Sequence, residues 1–121
     1  MKRTFLCIIL TLFATQIYAN NEQIVIALEH KGGYHSNFPV PAEMPDVYFN
    51  NVSQTIIIDG GGEVSYYDVE IIDLTSLDTV ISTQVNGYYD TIDISSLPDG
   101  EYVITIDAPT GNSFEGFFST Y

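Results

Sequence analysis

The sequence predicts an all-β fold, an antiparallel β-sandwich of about seven strands plus an N-terminal strand. Three observations lead there. Apolar and polar residues alternate with a period of two through most of the chain, as half-buried strands require. Turn signals made of Gly, Pro, Asn and Asp break that alternation every eight to twelve residues. No segment after the opening run holds a helical period, so no helices are available to connect parallel strands.

The opening residues stand apart from this rhythm. Met1, Lys2 and Arg3 form a short positive region, and FLCIILTLFATQIYA follows as an apolar run ending at Ala19. That layout is expected of a secretory signal peptide covering residues 1–19, with Ile17 and Ala19 at the positions before the cut. The run is shorter than the ~20 residues that span a bilayer, so removal is expected rather than anchoring. Cys7 follows Leu6 near the start of the run, not a small residue at its end. It is therefore expected to leave with the signal and to carry no lipid. The expected location is export: periplasm, outer surface or extracellular space.

Residues 20–121 then contain no cysteine, which excludes a disulfide framework and a thiol nucleophile. Lys31 is their only Lys or Arg against sixteen Asp and Glu, a net charge of −15. Nucleic-acid partners are excluded, because no cationic surface exists to displace phosphate counterions. Such acidity keeps a strand-rich chain soluble and blunts its edges.

The elements follow in order. QIVIALE (23–29) is an expected first strand, free to join the sandwich or to lie on another molecule. HKGGYHSNFPVPAEMP (30–45) has two glycines, three prolines and no periodicity, and reads as an extended linker. Residues 20–45 are thus expected to precede a sandwich over 46–121. Its expected strands are 46–50, 54–59, 66–73, 79–85, 88–94, 101–107 and 113–120. Gly60–Gly62 reads as a hairpin turn and Asn86-Gly87 as a tight turn, while Pro98-Asp99-Gly100 and Pro109-Thr110-Gly111 supply later ones. Asn51-Val52-Ser53 matches a glycosylation acceptor but reads as turn chemistry.

Parity assigns the core. Ile56 and Ile58 share one face; Tyr67, Val69 and Ile71 face inward, leaving Tyr66, Asp68, Glu70 and Ile72 outside. Ile92 and Ile94, then Tyr102, Ile104 and Ile106, then Phe114, Gly116 and Phe118 follow the same logic. A one-residue slip would bury Asp68 and Glu70 without partners. Leu97-Pro98-Asp99-Gly100-Glu101-Tyr102 has the order of a tyrosine corner: an apolar plug at Leu97, a turn at Gly100, then Tyr102 one residue into the strand. In immunoglobulin-like sandwiches such a tyrosine bonds back to upstream backbone.

The stretch from Ile24 to Tyr121 resembles a family of small secreted immunoglobulin-like domains of unknown function from gut Gram-negative bacteria. Ser36, Pro39 and Pro41, DISSLPDGEY (93–102), VITI and Gly116-Phe117-Phe118 carry the likeness. The resemblance implies a fold and an envelope location, and no activity. VYFNNVSQTIIID and ISSLPDGEYVITI are also similar to strands of type IX secretion C-terminal sorting domains. The chain departs from them at Phe49 and Asn51 and at its non-basic end, Phe-Ser-Thr-Tyr.

Catalytic machinery has no sequence signature here. There is no Gly-x-Ser-x-Gly elbow, and His30 and His35 lie among linker glycines without metal-ligand spacing. No catalytic residue, metal or cofactor is expected. Asp68 and Glu70, about 7 Å apart on one strand face, form a carboxylate pair of the kind glycan hydrolysis uses. The loops 59–63 and 73–78 could offer Ca²⁺ a weak site at most. The expected binding residues are Tyr66, Asp68, Glu70, Ile72 and Phe117, with Tyr66 and Phe117 as anchors for a protein or glycan. The primary expectation is a non-enzymatic secreted binding or structural module. A strand-exchanging subunit, oligomerising through the N-terminal strand, is the alternative, and a glycan-acting enzyme the third reading.

Overall fold

The computed structural model describes residues 23–31 and 41–121. The signal segment, His35, Ser36 and Pro39 lie outside these residues. Among the described residues nine strands form: β1 (Gln23–Ile26), β2 (Leu28–Lys31), β3 (Asp46–Asn50), β4 (Thr55–Asp59), β5 (Tyr66–Asp73), β6 (Thr79–Asn86), β7 (Tyr89–Asp93), β8 (Glu101–Asp107) and β9 (Ser113–Ser119). They make two sheets of order β1-β3-β4-β7 and β2-β9-β8-β5-β6, and every pairing is antiparallel.

β3 to β9 make the seven-stranded sandwich that the alternation predicts. The N-terminal run divides in two at Ala27. β1 pairs with β3 in one sheet, and β2 pairs with β9 in the other. QIVIALE is therefore not one strand but two, and both belong to the chain's own sandwich. Gly116 makes that crossing possible. A Cβ at this position would lie 2.7 Å from the Ile26 side chain, 2.9 Å from Leu28 and 3.1 Å from the Ala27 carbonyl. The bare backbone of Gly116 leaves room for Ile26, Ala27 and Leu28 as the segment passes from sheet to sheet over β9.

The inward face of each strand fills the core as its parity dictates. Ile56, Ile58, Tyr67, Val69, Ile71, Ile94, Tyr102, Ile104, Ile106 and Phe114 are buried, and Leu97 packs against them. Two residues of outward parity are buried as well. Ile57, between Tyr48 and Thr91, and Val103, between Ile72 and Phe117, are each 7% exposed. Both sit on interior strands, where neighbours on either side cover the outer surface.

Two connections differ from their sequence reading. Gly60–Gly62 is not a hairpin turn: β4 and β5 lie in different sheets, so the glycines carry the chain across. Asn86-Gly87 likewise takes the chain from β6 in one sheet to β7 in the other. The two crossings interlock through hydrogen bonds from Gly60 N to Tyr88 O (2.9 Å) and from Gly62 N to Gly87 O (2.9 Å). A Cβ on Gly87 would fall 1.7 Å from the Val64 carbonyl oxygen, so this contact demands glycine.

Candidate functional site

The outer face of the five-stranded sheet carries the residues singled out by sequence. Register arranges them in rows. Ile72, Val103 and Phe117 are cross-strand neighbours, as are Glu70, Thr105, Glu115 and Glu29 in the next row, and Asp68 and Asp107 in the one after. Ile72 is half-buried, Val103 buried, and Phe117 is 59% exposed. An apolar row thus crosses three strands and ends in an exposed ring.

Carboxylates rim it. Glu70 and Glu115 lie in the adjoining row, and Glu101 precedes Val103 on its other side. Lys31 bonds Glu115 at 3.0 Å, which fixes the β2 end of the sheet against that row. Beyond Phe117, a shallow cleft of about 350 Å³ is lined by Leu74, Glu101, Phe117, Phe118 and Ser119. Leu74 is held there by its backbone N–H, which donates to the Glu101 carbonyl at 3.0 Å.

The structure does not bring the expected anchors together. Tyr66 opens β5 and Ile72 lies six residues further on. At about 3.4 Å per residue that is roughly 20 Å, so Tyr66 and Phe117 occupy opposite ends of the face. Asp68 accepts a hydrogen bond from the Gln84 side chain at 3.1 Å, and both it and Glu70 are open to solvent. The loop carboxylates are occupied with their own turns. Asp73 accepts from Thr75 N at 2.8 Å and Asp93 from Ser95 N at 2.9 Å. The Ser95 backbone bond holds the Asp93 carboxyl below the usual carboxylate range. Among the described residues, no three His, Cys, Asp or Glu side chains converge as a metal would need.

Two buried tyrosines organise the ends of the sandwich. The Tyr102 hydroxyl donates to the Pro98 carbonyl, and Gly100 N donates to Thr120 Oγ1 at 2.9 Å, closing the corner around Leu97. Tyr102 also stacks on Phe118, with ring centroids 5.5 Å apart. Burial pushes its phenol pKa up, with Asp73 and Asp99 adding to the effect. At the other end Tyr67 donates to the Glu43 carbonyl at 2.6 Å. Burial raises this phenol too, and the charges of Glu43 and Glu63 raise it further.

The structural role of Glu43 is not visible in the sequence, which suggests it only as a candidate further ligand beside His30 and His35. Its carboxylate accepts from Asn112 Nδ2 and, at 2.8 Å, from Thr110 Oγ1, and these bonds hold its pKa down. Asn112 Oδ1 in turn accepts a hydrogen bond from His30 Nε2–H at 3.0 Å. His30 also packs on Phe114 at 5.5 Å between ring centroids. His30, expected to open the linker, instead lies in β2 opposite Phe114 and ties that strand to the β8–β9 turn. A buried tyrosine hydroxyl usually finds a partner, and the inward parity of Tyr67 is the one signal in the sequence for this contact.

Among solved structures, a DUF3244 family protein with an immunoglobulin-like β-sandwich fold from Bacteroides vulgatus matches this chain. The TM-score is 0.64 at 17% sequence identity, covering 83% of this chain and 100% of that one. At that identity the likeness is one of fold. This chain folds as an immunoglobulin-like β-sandwich. No family model and no curated protein matches the sequence.

Proposed function

We propose that the protein is an exported, non-catalytic binding module of the cell envelope, which holds a protein partner on the outer face of the β2-β9-β8-β5-β6 sheet. The observation that carries this reading is the row Ile72–Val103–Phe117, apolar at its centre and rimmed by Glu70, Glu101 and Glu115. An apolar centre within a polar rim is the anatomy of a protein-binding patch. A sugar would favour two rings near each other, and Tyr66 is too distant from Phe117 to supply the second. Catalysis by Asp68 and Glu70 has little support, because an open sheet face leaves both carboxylates hydrated. Strand donation has less support than in the sequence alone, since releasing β1 and β2 would bare the edges of β3 and β9 together.

The charged start and apolar run support export, with cleavage after Ala19. Intact mass of the exported protein tests it: a product retaining Cys7, or lipid on Cys7, refutes it. Binding is tested by probing the exported protein against the envelope proteins of its own cell and against a glycan array. Phe117→Ser should abolish capture of the protein partner and leave the unfolding free energy within about 0.5 kcal/mol of wild type, as an exposed substitution does. Glycan capture that survives Phe117→Ser and is lost in Tyr66→Ser would overturn the reading.

A further inference from the structure

The acids of this protein are not spread evenly over its two outer faces. The four-stranded sheet turns Asp46, Asp59 and Asp93 outward. The five-stranded sheet turns out Glu29, Asp68, Glu70, Glu101, Asp107 and Glu115, against Lys31 as the one cation there among the described residues. Some of these carboxylates are already engaged. Asp68 accepts from Gln84 at 3.1 Å, Asp107 from Ser113 at 2.6 Å, and Glu115 pairs with Lys31 at 3.0 Å. Glu70 and Glu101 are exposed, and they stand on opposite sides of the apolar row Ile72–Val103–Phe117.

Register fixes the spacing of these groups. Glu70 lies opposite Thr105, Ile72 lies opposite Val103, and Glu101 comes two residues before Val103 on β8. From the Glu70 row to the Glu101 row is four residues along the strands, about 14 Å, with the apolar row midway. The Glu101 row opens into the cleft of about 350 Å³, where Leu74 and Phe117 stand beside the glutamate. An apolar wall next to a carboxylate fits a Lys or Arg side chain, which packs its aliphatic stem and keeps its charged head in water. We propose that the partner engages this face with an extended basic segment, carrying Lys or Arg at two positions four residues apart and an apolar side chain between them.

An extended segment turns alternate side chains to one face at the same spacing as these rows. One cation then meets Glu70, the apolar side chain lies on Val103 and Phe117, and the second cation enters the cleft to reach Glu101. Charge complementarity of this kind steers a partner and fixes its register. A second copy of this chain does not answer the pattern, because no two of Lys2, Arg3 and Lys31 are four residues apart. A neutral sugar brings no cation for either glutamate. The inference rests on the partner-binding reading and supplies that partner's chemistry.

Titration of the protein with the synthetic peptide Gly-Lys-Thr-Leu-Thr-Lys-Gly, blocked at both ends and followed by amide chemical shifts, tests the inference. Saturable shifts are expected at Ile72, Val103 and Phe117, and binding should weaken as salt rises. Glu70→Gln combined with Glu101→Gln should weaken it about fivefold, the worth of two exposed ion pairs. Asp46→Asn combined with Asp59→Asn removes the same charge from the opposite face and should weaken it less than about twofold, since screening limits the reach of distant charges. The peptide Gly-Lys-Lys-Leu-Thr-Thr-Gly, of equal charge but with its lysines adjacent, should bind more weakly. Equal weakening by the two double variants, equal binding of the two peptides, or no binding of the first peptide overturns the inference. Failure of the partner-binding reading shows separately, as capture of the envelope partner that survives Phe117→Ser.

Discussion

The Tyr67 hydroxyl donates a 2.6 Å hydrogen bond to the backbone carbonyl of Glu43, while the Glu43 carboxylate accepts from Thr110 and Asn112. One residue of the segment entering β3 is thereby held by β5 through its main chain and by the β8–β9 turn through its side chain. Tyr67→Phe should leave that carbonyl without its partner and cost about 1–3 kcal/mol in unfolding free energy. Tyr66→Phe, at the neighbouring outward position, is the control and should be near neutral. Urea denaturation of both variants decides it; equal losses would deny Tyr67 its role.

Tyr102→Phe should cost a similar amount, about 1–3 kcal/mol, because it removes the donor to the Pro98 carbonyl. Tyr67 and Tyr102 lie at opposite ends of the sandwich and share no partner. The double variant should therefore lose the sum of the single losses within about 0.5 kcal/mol. A clear departure from additivity would show that the two ends are coupled.

Gly116→Val should displace the N-terminal crossing and spare the rest. The added side chain meets Ile26, Ala27 and Leu28, whereas β3 to β9 retain their own pairing. Hydrogen exchange should show lost protection over residues 23–31 with β5 and β8 still protected. If β5 and β8 open equally, β1 and β2 are integral to the cooperative unit.

Acid stability should depend on Glu43. Its carboxyl is held below the ordinary range of a glutamate by the Asn112 and Thr110 bonds, so the ionised form is favoured by folding. This contribution is complete above the unfolded value and is lost as pH falls through the lower folded value. Wild type should lose more stability than Glu43→Gln as pH is lowered from neutrality to below 4.5. Taking the difference cancels the general relief of repulsion as the other carboxylates protonate. Parallel pH profiles would exclude the effect.

Much of the architecture was legible because period-two alternation and register share one physical cause: an inward charge has no partner. Asp68 and Glu70 fixed the parity of β5, and Tyr67, Val69 and Ile71 are buried accordingly. What alternation cannot convey is which strands are interior. Ile57 and Val103 are covered by neighbours distant in sequence. The break at Ala27 carries no Gly or Pro, because it is dictated by the separation of two sheets and by the space at Gly116. The candidate site suffered most. Tyr66 and Phe117 share a face, but their separation depends on how three strands align, and that is set by turns and pairing far from either residue.

The seam between Leu28–Lys31 and Ser113–Gly116 also imposes an order on assembly. A chain released amino end first holds β2 ready long before its partner strand exists, since more than eighty residues separate them. Until β9 arrives, β2 has no ladder to join, and Ile26 no Gly116 to cross. Contacts so remote in sequence form slowly. β9 therefore completes two pairings at once: a chain that lacks it leaves both β8 and β2 without a neighbour. Loss of this one strand would bare a second edge far upstream in the sequence, through the seat that it gives β2.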